Sequence, residues 1–145
     1  MTAVAVAAAG CLATAGPANA APQPQVYTAT YTASSPVAPP AVLIGPHGEK
    51  PTKWGVARFS VNSAPQLIAP DTKRVGGGTW TYGGGMASNG RHLCYSNYVH
   101  PDKVHSATAV LGVDVDKRYN EPDLWAKASV VDSWDETCET YWGVY

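Results

Sequence analysis

Charge is scarce in this chain. Asp, Glu, Lys and Arg make up 14% of its 145 residues and nearly cancel, leaving a formal net charge of -1. A protein that grips nucleic acid through its phosphates needs a basic surplus, so no nucleic-acid partner is expected. Phenylalanine is almost missing. Phe59 stands alone, and the aromatic content is carried by five Trp and eight Tyr. Those rings pair an apolar body with a polar tip, which suits a small β protein or a binding surface. Helical periodicity is lacking as well. No stretch keeps an apolar repeat of helical period over three turns, and this excludes a helical bundle.

The N-terminal residues form a separate material. Residues 1–20, MTAVAVAAAGCLATAGPANA, read as a secretory signal peptide. A small apolar run leads to Ala18-Asn19-Ala20, an A-x-A cleavage site. The run is too short and too weakly apolar for a convincing membrane span, so no stable transmembrane segment is expected once the signal is removed. No Lys or Arg precedes it, which points to a start upstream of Met1. A rival reading makes Ala8-Ala9-Gly10-Cys11 a lipobox, with Cys11 acylated as a lipoprotein anchor.

Cleavage after Ala20 leaves two of the three cysteines, Cys94 and Cys138. An even pair in an exported domain suggests a disulfide, with two free buried thiols as the alternative. The bond would close a loop of about 45 residues, for which the chain-entropy model gives roughly 4 kcal/mol.

Residues 21–75 read as a Pro/Ala/Thr-rich linker or pro-region, mostly extended. Within it, 54–61 (WGVARFSV) is a candidate strand that docks on the following domain. Lys73-Arg74 is a dibasic pair, read either as a processing site or as solvated linker charge. Residues 21–75 hold five Lys/Arg against two Asp/Glu, whereas residues 76–145 hold five against nine.

Residues 76–145 read as the domain. Thr79–Tyr82 is a first strand, broken by Gly83-Gly84-Gly85. Cys94–Val99 and Val104–Val113 flank the turn residues His100-Pro101-Asp102-Lys103, which predicts a central antiparallel hairpin. Residues 95, 97 and 99 face one way and 94, 96 and 98 the other. Asp114–Asp123 reads as a polar loop. Leu124–Val131 is a strand with Leu124, Ala126, Ala128 and Val130 inward and Trp125, Lys127 and Ser129 outward. Thr137–Tyr145 is the last strand, with Cys138, Thr140, Trp142 and Val144 on one side. The expected fold is all-β: a small antiparallel β-sandwich of two short sheets and five or six strands, to which a candidate strand near Trp54 would add one.

Catalytic and metal patterns fail on inspection. His105 and Ser106 adjoin, but neighbours on a strand point to opposite faces, so the imidazole cannot take the hydroxyl proton. His100, His105 and Asp102 flank one turn without a second ligand motif, and ordinary hairpin histidines are preferred over a metal site. Asp114-Val115-Asp116 and Asn120 lack the glycine and terminal Glu of a calcium loop. The glycine triplets carry no phosphate-loop Lys-Ser/Thr. No enzyme activity, cofactor or metal is expected.

Several segments look familiar. Gly78-Thr79-Trp80-Thr81-Tyr82-Gly83 resembles the opening of mature lactococcin 972 family bacteriocins. Tyr95-Ser96-Asn97-Tyr98-Val99-His100 and His105-Ser106-Ala107-Thr108 resemble that family's central signature. Trp125-Ala126-Lys127-Ala128 and Tyr141-Trp142-Gly143-Val144-Tyr145 match in order and spacing, so the likeness runs over 76–145. The chain departs from the compact members in its residues between the signal and the domain, and in Cys94 and Cys138.

The resemblance implies a secreted β-sandwich bacteriocin from a Gram-positive bacterium that acts on other bacteria by binding rather than turnover. Its implied target is the cell-wall precursor lipid II, or the peptidoglycan surface, at the septum. A homodimer is implied as well. Polar donors and amphipathic aromatics suited to such a target are Trp80, Tyr95, Tyr98, His100, His105, Trp125 and Lys127. Among them, outward Trp125 and Lys127 are the foremost candidates. Two other functions compete: a secreted protein-binding module or protease inhibitor, and a carbohydrate-binding module without killing activity. An acidic domain argues against a cationic pore-forming peptide.

Overall fold

The computed structural model describes residues 25–60 and 68–145. The signal-peptide and Cys11 readings lie outside the described residues. Nine strands are present among them: β1 (Val26–Thr32), β2 (Lys53–Phe59), β3 (Ile68–Val75), β4 (Gly78–Met86), β5 (His92–Val99), β6 (His105–Leu111), β7 (Asp114–Asn120), β8 (Ala126–Asp132) and β9 (Cys138–Val144). They form two antiparallel sheets, one ordered β1-β2-β9-β6-β7 and the other β3-β4-β5-β8. The all-β two-sheet architecture expected from the sequence is what the chain adopts, with more strands than the five or six read from it.

Alternation builds the core. Ala57 and Phe59 of β2, Ala107, Ala109 and Leu111 of β6, and Cys138, Trp142 and Val144 of β9 project from the five-stranded sheet. Trp80, Tyr82, Cys94, Tyr98, Ala126 and Ala128 meet them from the four-stranded sheet. Cys94 of β5 and Cys138 of β9 form a disulfide across the two layers, with 5.6 Å between their Cα atoms. The expected pairing is therefore present, and it joins the sheets at a point where both cysteines are fully buried.

The five-stranded sheet is covered on its outer face too. Trp54 and Val56 of β2 and Tyr141 of β9 point away from the sandwich and pack with Leu43, near Ala29, Tyr31, Val42 and Val110. Leu43 closes a short 3-10 turn, Ala41–Leu43, behind Pro39-Pro40. Lys117 Nζ donates to the Ile44 carbonyl at 3.0 Å, and Tyr145 Oη to the Leu43 carbonyl at 2.7 Å, pinning this cover in place.

Several local expectations are corrected. β5 and β6 are not a hairpin: β5 already has β4 and β8 on its two edges, so the chain crosses to the other sheet, where β6 lies between β9 and β7. Residues 114–120 are strand rather than loop, because the tight Gly112-Val113 turn returns the chain onto β6, pairing Leu111 with Asp114. Gly83-Gly84-Gly85 continue β4. A Cβ at Gly84 would stand 2.8 Å from the Phe59 ring, so glycine here admits the facing sheet rather than ending the strand. Leu124 is exposed, since β8 begins after it.

Upstream residues also pair. β2 is the expected docking strand, and it lies between β1 and β9 inside the sheet. Lys73-Arg74 sit in β3, hydrogen-bonded to β4 through a turn at Gly76-Gly77, whose φ angles of 62° and 91° are those of a type I′ hairpin. On the β7–β8 side, side chains cap the exposed backbone. Asp116 Oδ2 accepts the Ser129 N–H at 2.9 Å, and Asn120 Nδ2 donates to the Trp125 carbonyl at 3.1 Å.

Candidate binding surface

The central strands β6 and β9 of the five-stranded sheet are largely covered on both faces, and the outer face of β3-β4-β5-β8 is an open β surface. Register fixes what lies on it. Thr72, Thr81, Asn97 and Lys127 stand side by side across the four strands. Arg74, Thr79 and Val99 form the adjacent row. Tyr95 pairs with Gly83 and Ser129 on the other side. Trp125 precedes β8 and leans over this face, 41% exposed.

Two shallow depressions mark the surface. One, of 210 Å³, is lined by Thr81, Asn97, Trp125 and Lys127. The other, also 210 Å³, is lined by Arg74, Gly77, Gly78, Thr79, Val99, Pro101 and Asp123. Among the described residues, neither Lys127 nor Arg74 is held in an ion pair. Thr72 and Thr81 share a hydroxyl hydrogen bond of 3.1 Å. Tyr95 is half-buried, and burial raises its phenol above the usual range, so it stays a neutral hydroxyl. The face therefore offers two cations, hydroxyl and amide groups, and one tryptophan ring. That set suits an anionic, hydroxyl-rich ligand: cations meet phosphate, amides and hydroxyls meet sugar, and a ring face stacks on sugar.

The seven residues singled out from sequence divide sharply. Trp125, Lys127 and Tyr95 share the open face. Trp80, Tyr98 and His105 are buried in the core. Trp80 Nε1 donates to Ser96 Oγ at 2.9 Å, and Ser96 Oγ donates to the Tyr141 carbonyl at 2.8 Å, a polar link between the two sheets. Tyr98 Oη donates to the Val75 carbonyl at 2.9 Å, and burial pushes its phenol far up. His105 Nδ1 and Nε2 lie 2.7 and 2.8 Å from the carbonyl oxygens of Lys103 and Leu124. His100 is 7% exposed, and its Nδ1 accepts the N–H groups of Asp102 and Lys103, each at 3.0 Å. These polar tips are spent inside the fold.

Ser106 points away from His105 and shares a hydrogen bond of 3.2 Å with Tyr145 Oη. Among the described residues no group of three or more His, Cys, Asp or Glu is placed to hold a metal ion, and no helix is long and apolar enough to cross a membrane. Sequence reasoning missed Thr72, Arg74, Thr79, Thr81 and Asn97 as surface partners. Asn97 was within reach of it, because it shares Tyr95's parity on β5.

A family model described as Bacteriocin (Lactococcin_972) matches residues 76–142. The matched stretch holds β4 to β8, most of β9 and both cysteines, together with Thr79, Thr81, Asn97, Trp125 and Lys127. No match was found among curated proteins, and none among solved structures. Residues 76–142, which carry most of this open face, are thus similar to the lactococcin 972 family of bacteriocins.

Proposed function

We propose that the protein is a secreted bacteriocin of a Gram-positive bacterium. It binds the cell-wall precursor lipid II through the outer face of β3-β4-β5-β8 and blocks septum and cell-wall synthesis in other bacteria. One observation carries this reading: the open face joins Lys127 and, from β3 just before the family-matched residues, Arg74, neither ion-paired among the described residues, to Trp125, Asn97 and the threonine row. A lipid-linked precursor presents pyrophosphate beside amino sugars at a membrane surface. Lys127 and Arg74 supply charge-assisted bonds to phosphate oxygens. Asn97, Thr81 and Thr79 supply directional bonds to sugar hydroxyl and amide groups. Trp125 gives a ring that stacks on a sugar or rests at the lipid interface. Affinity arises from several weak contacts on a rigid sheet, and no covalent step is required.

The test is retention of the oxidised protein on vesicles with and without lipid II, together with growth of susceptible cells. Retention that depends on lipid II, with arrested septation, supports the reading. Equal retention on bare peptidoglycan, with no effect on growth, overturns it in favour of a carbohydrate-binding module.

A further inference from the structure

The loop from β7 to β8 sets two large apolar side chains next to each other in solvent. Leu124 is 53% exposed and Trp125 41%. A lone exposed apolar residue is ordinary and calls for no explanation. An adjacent pair that the backbone holds outward is a different matter.

The backbone of this loop is braced residue by residue. Asp123 has a φ of 66° and is the only non-glycine residue in the left-handed region among the described residues. Asp tolerates that conformation better than most residues. Its N–H donates to the His100 carbonyl at 2.9 Å, and the Leu124 N–H to the Glu121 carbonyl at 3.2 Å. The Leu124 carbonyl lies 2.8 Å from Nε2 of the fully buried His105, and the Trp125 carbonyl accepts Asn120 Nδ2 at 3.1 Å. With these polar groups satisfied inward, the two side chains are fixed outward rather than free to fold back onto the sheet.

The pair stands at one end of the sandwich, next to the candidate ligand face. Trp125 lines the depression that holds Asn97 and Lys127, and Asp123 lines the one that holds Arg74. Val104 and Tyr119, each 38% exposed, add apolar surface at the same end, where they line a hollow of 340 Å³. Glu121 and Asp123 are exposed beside the pair, so the loop is not built to attract an anionic surface. Its attraction is apolar. A few side chains fall far short of the ~800 Å² that each partner buries in a stable protein interface. A lipid surface needs no shape complementarity: it takes a leucine into the acyl boundary and holds a tryptophan at headgroup level.

We propose that the β7–β8 loop is a membrane-docking tip: Leu124 and Trp125 enter the headgroup–acyl boundary of a lipid bilayer and stand the protein on this end. The docking follows from the tip itself. Its use, which is to bring Lys127 and Arg74 down to the headgroups where a lipid-linked ligand is presented, rests on the function proposed above. Two side chains give weak attachment, below the ~10⁴ M⁻¹ of a single myristoyl chain, so the ligand face still decides tight binding.

Partition of the full oxidised protein onto phosphatidylcholine vesicles without lipid II tests it, with brominated phosphatidylcholine as the quencher of tryptophan fluorescence. Half of the protein should be bound at roughly 1 mM lipid, and adding about 0.5 M salt should leave this unchanged. Leu124→Ser should raise the lipid required about tenfold. Leu124 is exposed, so the fold is kept. Val113→Ser removes a side chain that is 92% exposed on the β6–β7 turn at the opposite end, and it should bind like the wild type. Trp125→Phe should abolish the quenching, since Trp54, Trp80 and Trp142 are buried and Trp134 lies beyond β8. No partition up to about 5 mM lipid, Leu124→Ser binding as well as the wild type, or quenching that survives Trp125→Phe each overturns the proposal. Adding lipid II to the same vesicles separates the two readings. Tighter binding with Trp125 unquenched overturns the docking tip and keeps the ligand. Quenched Trp125 with no gain from lipid II supports the tip and overturns the ligand.

Discussion

Ser96 sits where a small hydroxyl carries more than its size suggests. It is fully buried, accepts the Trp80 indole N–H at 2.9 Å and donates to the Tyr141 carbonyl at 2.8 Å. Ser96→Ala removes one oxygen and leaves a buried N–H without a partner. An unsatisfied buried donor costs about 1–3 kcal/mol, and the lost bond to Tyr141 adds about 1 kcal/mol. The expected destabilisation is about 2–4 kcal/mol, several times a surface substitution. For a domain of this size it lowers the melting temperature by about 10 °C. Trp80→Phe removes the indole donor and part of the ring, at a cost set by the space it leaves. In the double variant no donor is stranded, so the two costs should not add. A double-mutant cycle by urea unfolding should give a coupling of about 1–2 kcal/mol. Additive costs, with coupling inside about 0.5 kcal/mol of zero, would refute the assigned role of Ser96 as a satisfied polar link between the sheets.

Two further outcomes follow from buried groups. Reduction of Cys94–Cys138, separated by 44 positions, should remove up to about 4 kcal/mol of stability. Intact mass after alkylation should show both thiols protected until reductant is added, and free thiols in the oxidised protein would contradict the pairing. His92 is buried against Trp134 at 4.7 Å, and neither ring nitrogen has a hydrogen-bond partner among the described residues. Burial lowers its pKa. As pH falls past about 6.5, the unfolded chain takes up a proton that the folded ring resists, so stability should decline from pH 7 toward pH 5. His92→Phe should flatten that slope in urea titrations at several pH values. An unchanged slope would place the acid sensitivity elsewhere.

Much of the sandwich was legible because period-two alternation is a local signal. The inward set Cys138, Thr140, Trp142 and Val144 and the outward pair Trp125 and Lys127 were read correctly from it. Which sheet a strand joins is not local. β5 and β6 look like one hairpin through His100–Lys103, yet β8, far along the chain, takes the edge of β5 that β6 would need. β7 was hidden because its charges read as loop, when they serve an edge strand. β1 was hidden by its Pro- and Ala-rich surroundings.

The candidate site divided for a related reason. Trp, Tyr and His carry polar tips that serve a ligand or the fold equally well, and sequence does not say which. Trp80, Tyr98 and His105 spend theirs on Ser96 and on backbone carbonyls, whereas Lys127 on β8 and Trp125 just before it stay on the surface.

The central claim is that the outer face of β3-β4-β5-β8 binds lipid II. The most direct measurement is affinity for vesicles containing lipid II, compared among the wild type, Trp125→Ala, Lys127→Ala and the off-face control Lys103→Ala, each checked for native unfolding. Loss of a charge-assisted bond is worth about 1.5–3 kcal/mol and loss of a stacked ring about 0.5–1.5 kcal/mol, so Lys127→Ala should bind about tenfold or more weakly and Trp125→Ala about two- to tenfold more weakly, while Lys103→Ala matches the wild type. Equal affinity across all four proteins would contradict the account and move the binding site off this sheet.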